Sequence, residues 1–131
     1  MYDYRAKVTR VLDGDTVEVE WLDLGFGMRM HSTKKRPLRL RFADADAYET
    51  TLREETTPAQ KALGLEAKAW LTGLLPAGSV VRLRSTEVAD TFGRILAIVW
   101  MDGPDDDVLV PTQSLGAEIL RRGWGTVYAG K

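Results

Sequence analysis

The stretch "RLRFADADAYET", residues 39–50, alternates charged and apolar side chains and then runs into acid. Side chains on a strand point alternately to opposite faces, so Arg39 and Arg41 share one face while Leu38, Leu40 and Phe42 take the other. One face suits a core, and the other carries guanidinium groups. Asp44, Asp46 and Glu49 follow at once, so the strand ends by bringing carboxylates beside arginines. Such a layout suits holding a cation and an anion together.

Working outward, residues 4–11 and 16–22 also alternate apolar and polar and read as strands, with a tight-turn signal at Asp13-Gly14 between them. The connection "DLGFGMRMHSTKKR", residues 23–36, is rich in glycine and basic residues and reads as an extended, mobile hairpin arm leading into a third strand over 37–42. On the other side, Thr57 is placed to cap a helix, Pro58 suits its first position and Gln60 can close a capping box. Leu63, Ala67, Trp70, Leu71 and Leu74 recur at helical spacing until "LPAG", residues 75–78. Strands are expected over 79–84 and 95–100, with a turn at 102–104 and a short helix over 112–122 that Gly123 stops. The fold class is therefore α+β, mostly β: a single domain over 1–131 built as a small, partly open, five-stranded OB-type barrel with two helices. Trp21, Trp70, Trp100 and Trp124 each lie in apolar patterns and are expected in the core.

At 131 residues the chain can bury a core without staples, and it contains no cysteine, which excludes disulfide scaffolds, thiolate zinc sites and cysteine nucleophiles. The N-terminus shows no signal-peptide h-region and no stretch has the length of a membrane span, so no membrane partner and a cytoplasmic location are expected. A net charge of −1 argues against binding by bulk electrostatics, but the charge is unevenly spread. Between Gly25 and Ala43 there is no acidic residue, while Arg29, Lys34, Lys35, Arg36, Arg39 and Arg41 fall there with the only histidine, His31.

Three stretches carry the chemical signal. In "VLDGDTVEV", residues 11–19, Asp13 and Asp15 flank Gly14, which taken alone is equally a hairpin with polar corners. Arg41 with Asp46 and Glu49 is, alone, equally a salt-bridged loop. In "DTFGRILAIVW", residues 90–100, Gly93-Arg94 enters an apolar strand, where an arginine is also an ordinary strand-end charge.

Taken together, in this order, they resemble the staphylococcal nuclease (thermonuclease) family. That family shows an Asp-Gly-Asp-Thr turn, a strand with Arg-x-x-x-x-Asp-[Thr/Ala]-Pro-Glu, a helix, and Asp-x-[Tyr/Phe]-Gly-Arg before an apolar strand. Here stand Asp13-Gly14-Asp15-Thr16, Arg41 with Asp46-Ala47-Tyr48-Glu49, the helix from Pro58, and Asp90-Thr91-Phe92-Gly93-Arg94. The register checks itself, because starting from Arg39 would align Asp44 but leave Ala47 where the glutamate belongs. Tyr48 replaces the family's proline, Thr91 replaces a lysine and Phe92 a tyrosine. The stretch from Asp15 to Asp46 is longer than in the prototype, and the chain stops short of the prototype's final helix. Short members with an "LGFG"-type arm are common in bacteriophages, which would make the location the host cytoplasm.

The resemblance implies a calcium ion held by Asp15, Asp46 and the Ala47 carbonyl, catalytic roles for Arg41, Glu49 and Arg94, and substrate contacts from Arg39, Lys34, Lys35, Arg36 and Phe92. Glu49 would act on the attacking water, and the two arginines would grip the phosphate. Two planar, permanently charged guanidinium groups and a hard divalent cation suit the charge that builds on an attacked phosphodiester. The implied function is a calcium-dependent nuclease acting on DNA, and on RNA as a second substrate, as a monomer or homodimer. The alternative is an OB-type module of the same family that binds nucleic acid or protein without cutting.

Overall fold

A computed structural model describes residues 3–48, 57–87, 94–104 and 108–127. Strands β1 (Asp3–Asp13) and β2 (Thr16–Gly25) form a long hairpin, followed by β3 (Met28–His31), β4 (Leu38–Phe42) and the short β5 (Asp46–Ala47). Helix α1 (Pro58–Leu74) precedes β6 (Val80–Glu87) and β7 (Ile95–Met101); a 3-10 turn (Pro111–Gln113), helix α2 (Leu115–Arg121) and β8 (Gly125–Thr126) complete the chain.

The main sheet runs β1-β6-β7-β4-β2-β3, and β1 also pairs with β2, so five strands close on themselves. All their contacts are antiparallel except β4 with β7, where Leu40, Arg41 and Phe42 lie beside Ile95, Leu96 and Ala97 in parallel. That parallel ladder closes the barrel expected to be partly open. It leaves only β3 as an edge of the main sheet, outside the barrel, and the crossover it needs is supplied by α1 and β6. Register shifts along β1 and β2, between Lys7 and Val8 and between Val8 and Arg10, coil the hairpin so that β1 reaches both β2 and β6. The core inside the barrel is formed by Val8, Val17, Val19, Leu40, Phe42, Val81, Leu83 and Val99, all essentially inaccessible.

Helix α1 closes one end of this core. The Thr57 side chain accepts the Gln60 N–H at 3.1 Å and the Gln60 carboxamide accepts the Thr57 N–H at 3.2 Å, the reciprocal cap expected from the sequence. Gly64, Ala67 and Leu71 form its buried face. Helix α2 is shorter than expected, because the segment before Ser114 is a separate 3-10 turn and the Ser114 hydroxyl, accepting the Ala117 N–H at 3.0 Å, starts the α-helix.

The expected hairpin arm is present, while the expectation for the tryptophans needs correction. The 23–36 connection is a hydrogen-bonded hairpin, with β3 paired to β2 through Trp21↔His31, Leu22↔Met30 and Asp23↔Arg29. Of the four tryptophans only Trp100 is buried. Trp70 and Trp124 lie half-buried with ring centres 5.6 Å apart, and Arg122 lies 5.2 Å from each. Trp21 is half-buried under Arg29, at 4.0 Å. An apolar neighbourhood in sequence describes one flank of an indole, and the other flank is free to hold a cation.

Candidate functional site

The site begins at the two-residue turn between β1 and β2, where Gly14 and Asp15 are both buried. A Cβ on Gly14 would lie 2.8 Å from the Ala67 Cβ of α1 and 3.0 Å from the Ala47 Cβ of β5. Only glycine lets the turn sit against both elements, and that contact drives the Asp15 side chain inward. Its Oδ1 accepts the Thr16 hydroxyl at 2.8 Å and its Oδ2 accepts the Ala47 N–H at 2.9 Å. The first turn of the chain is thereby tied to the segment after β4.

Arg41 lies on the outward face of β4, opposite Thr16 of β2, with Leu40 and Phe42 turned to the core as the alternation requires. It is nevertheless buried, because the 43–47 segment folds back over it. Its Nη1 donates to the Phe42 and Ala45 carbonyls, both at 2.7 Å. Its Nη2 donates to Asp46 Oδ1 at 2.9 Å and lies 3.5 Å from Asp15 Oδ2. Because the fork is planar, one guanidinium sets the course of the loop and the positions of both carboxylates.

The structure also separates Asp44 from Asp46, the two described acidic positions after β4. Asp44 turns away from Arg41 and accepts the Ser114 hydroxyl at 2.6 Å, anchoring the start of α2. Its other oxygen is buried without a hydrogen-bond partner, and a side chain on Gly116 would strike this carboxylate. Asp46 turns to the site, its side chain 52% exposed and so open to solvent on one side.

What holds Asp46 there comes from the far end of the chain. Gly123, at φ 74°, ends α2 with the Gly123 N–H donating to the Leu120 carbonyl and the Trp124 N–H to the Ile119 carbonyl. That turn aims Trp124 back, where its carbonyl accepts the Tyr48 N–H at 3.0 Å, and β8 pairs with β5 through Asp46↔Thr126 and Ala47↔Gly125. A Cβ on Gly125 would come within 2.8 Å of the Ala47 Cα and meet the Asp46 carbonyl. Trp124, Gly125 and Thr126 are positioning residues that no sequence pattern marked. The glycines of "GWG", 123–125, were their only trace.

Burial dominates the electrostatics of Asp15. Burial pushes the Asp15 carboxyl above its usual range, against the opposing pull of Arg41, the Thr16 hydroxyl and the Ala47 N–H, and Asp46 adds to the rise. A further cation would relieve that cost. The donors present, two carboxylates with one partly open to solvent, suit a hard, oxygen-seeking ion such as calcium. Among the described residues no three carboxylate or histidine side chains cluster tightly enough to enclose a metal, so Asp15 and Asp46 would supply only part of a shell.

Asp15, Arg41, Asp46 and Ala47 are thus brought together. Arg94 stands one residue before β7, and Leu96 pairs with Arg41, so Arg94 shares Arg41's outward face. One strand spacing and two residue steps separate the two arginines by roughly 8 Å of backbone. Arg39 is held elsewhere, 3.4 Å from Glu18, which also pairs with Arg10 at 3.5 Å. Lys34, Lys35 and Arg36 are exposed on the turn after β3. Glu49 and Phe92 lie outside the described residues.

A family model described as staphylococcal nuclease homologue matches residues 39–131, well over half of the chain, and takes in Arg41, Asp46, Glu49 and Arg94. The β1–β2 turn with Asp15, and the arm, precede the matched region. No curated protein matches the chain with significance.

Proposed function

Because the chain belongs to the staphylococcal nuclease homologue family, we propose that it is a calcium-dependent nuclease that hydrolyses phosphodiester bonds of DNA, and of RNA as a second substrate, with little sequence preference. The observation that carries this reading is the convergence of Asp15 and Asp46 on the Arg41 guanidinium at the end of β4. In this reading Asp15, Asp46 and the Ala47 carbonyl hold calcium. Bound there, it supplies charge neutralisation to a phosphodiester oxygen.

The remaining work falls to the chain's own groups. Both acceptors of Arg41 Nη1 are backbone carbonyls, whereas Nη2 is shared with the half-exposed Asp46, so it is at Nη2 that a phosphate oxygen competes for the guanidinium. Arg94, on the same face, contributes a second permanent charge as negative charge builds on the phosphorus oxygens. Glu49, three residues beyond Asp46, takes a proton from the attacking water. The new P–O bond forms as the bond to the 5′-oxygen breaks, the leaving oxygen takes up a proton from solvent, and Glu49 returns its proton to solvent.

Supercoiled plasmid incubated with the protein tests this directly. Nicking followed by degradation is expected in calcium, with none in a calcium chelator. Glu49→Gln keeps nearly the same shape but accepts no proton, so turnover is expected to fall by on the order of 10² to 10⁴ while affinity for DNA stays unchanged. Retention of plasmid without cutting, in calcium, would leave a binding module in place of the enzyme.

A further inference from the structure

The nuclease reading does not use the tip of the β2–β3 arm. Phe26 there is fully exposed, at 103%. It holds φ 56°, a left-handed conformation that costs any residue with a Cβ, between Gly25 at φ 88° and Gly27 at φ 75°. Three successive left-handed residues, with the Gly25 N–H bonded to Asp23 Oδ1 at 2.9 Å, turn the chain so that the ring stands clear of the fold. The two-residue loop between paired Gly25 and Met28 demands the positive φ, but it does not call for an aromatic ring, and the core gains nothing from one there. A bulky apolar side chain displayed to water where glycine or asparagine suits the turn better points to a partner.

The surroundings indicate which partner. From Gly25 to Ala43 the chain has no acidic residue. Arg29 lies flat over Trp21, and Lys34, Lys35 and Arg36 form the turn at the base of the arm. Of the carboxylates around the arm, Glu20 pairs with Lys7 at 3.6 Å and Glu18 with Arg10 and Arg39, while Asp23, across from Arg29, accepts the Gly25 N–H. The uncompensated cations run in a line from the arm toward β4 and do not ring the tip. A line of cations with an aromatic ring at its end suits a linear polyanion that carries flat apolar groups, which is a nucleic acid strand.

We propose that Phe26 stacks on an unpaired base of the strand whose phosphates follow this line; the proposal deepens the nuclease reading and rests on it. Arg41 lies opposite Thr16, at the start of β2. Phe26 is ten residues further along this extended strand, so at about 3.3 Å per residue the contact lies on the order of 30 Å from Arg41. A substrate must therefore extend well past the scissile bond to reach the ring.

The test compares wild type, Phe26→Ala and Phe26→Trp. Since the ring is fully exposed, truncating it leaves the fold intact, and thermal unfolding serves as the control. Binding of a labelled single-stranded 20-mer and of the matching blunt duplex is measured in chelator, where no cutting occurs. Phe26→Ala is expected to lower single-strand affinity by on the order of tenfold, and duplex affinity by less. The salt dependence should stay unchanged, because the ring carries no charge. Phe26→Trp should restore the affinity. In calcium, cleavage of the 20-mer should weaken in the alanine variant through KM, while a mononucleotide nitrophenyl diester, too short to reach the arm, is cleaved as by wild type. Equal affinity of alanine variant and wild type for the single strand overturns the proposal. So does binding to anionic phosphatidylserine vesicles that depends on Phe26 while oligonucleotide binding does not. A wild type that binds the 20-mer through Phe26 but cuts nothing in calcium upholds the stacking contact and overturns the nuclease reading instead.

Discussion

Arg41 and the Lys34-Lys35-Arg36 turn carry the same sign of charge a few residues apart, yet they do opposite kinds of work. Arg41 is 5% exposed and engages two carbonyls and two carboxylates. The three cations of the turn are exposed, and among the described residues no carboxylate pairs with them. The difference shows that burial, more than residue type, decides how much of a charge is committed to the fold: Arg41 keeps only the Nη2 side, beside the half-exposed Asp46, for a ligand. A buried guanidinium must be matched by partners and so fixes their positions, whereas a solvated one is free to move to a phosphate.

The sharpest way to break this contrast is Arg41→Ala. It strands Asp15 and the Phe42 and Ala45 carbonyls, so a loss of about 3–5 kcal/mol is expected in urea unfolding. Exchanging Lys34, Lys35 and Arg36 together for alanine should move stability by only about 0.5 kcal/mol. Any activity lost in Arg41 variants has to be judged against that stability loss. Equal stability of the two variants would mean that Arg41 is no clamp.

Next in size is Gly125→Ala, which forces a Cβ against the Asp46 carbonyl and should cost about 1–3 kcal/mol as β8 is pushed from β5. Nuclease activity should fall with it, because Asp46 loses its support. Wild-type stability in this variant would show that β8 is dispensable to the site.

Asp15→Asn probes the electrostatic side of the clamp. Burial raises the Asp15 carboxyl, so its ionised form costs stability at neutral pH, and that cost fades as pH falls through the folded-state pKa. Asp3 has the opposite sign. The hydrogen bonds from Arg84 hold it below its usual range, giving stability present above the unfolded carboxylate pKa and lost as pH falls through the lower folded one. The asparagine variant removes only the first effect. Without metal it should be as stable as wild type or more so at neutral pH, with the gap closing on acidification, and calcium should no longer stabilise it. A metal-free loss of more than about 1 kcal/mol would show that the Arg41 attraction outweighs burial.

The smallest effect on the fold and the clearest on binding belongs to the basic turn. Neutralising Lys34, Lys35 and Arg36 should flatten the dependence of log affinity on log salt by roughly 2–3 for duplex DNA, at about 0.9 per phosphate contact. Turnover at saturating substrate should be unaffected. An unchanged slope would take the turn out of the substrate path.

The sequence alone determined the features encoded within a few residues. Alternation placed Leu40 and Phe42 inside and Arg41 outside on β4, the Thr57–Gln60 pair capped α1, Gly123 ended α2, and the order of motifs identified Asp15, Arg41 and Asp46 as one group. The first three rest on side-chain period, capping or turn chemistry, which act over one strand or one helical turn, and the grouping rests on the resemblance to a known family. Tertiary structure alone decided that β4 meets β7 in parallel to close the barrel, that Asp44 serves α2 while Asp46 serves the site, and that Gly125 holds Asp46 from the end of the chain. It also decided that Arg41 is buried. These outcomes depend on which surfaces meet across tens of residues. A local pattern lists the candidates for such contacts, and only the packed chain selects among them.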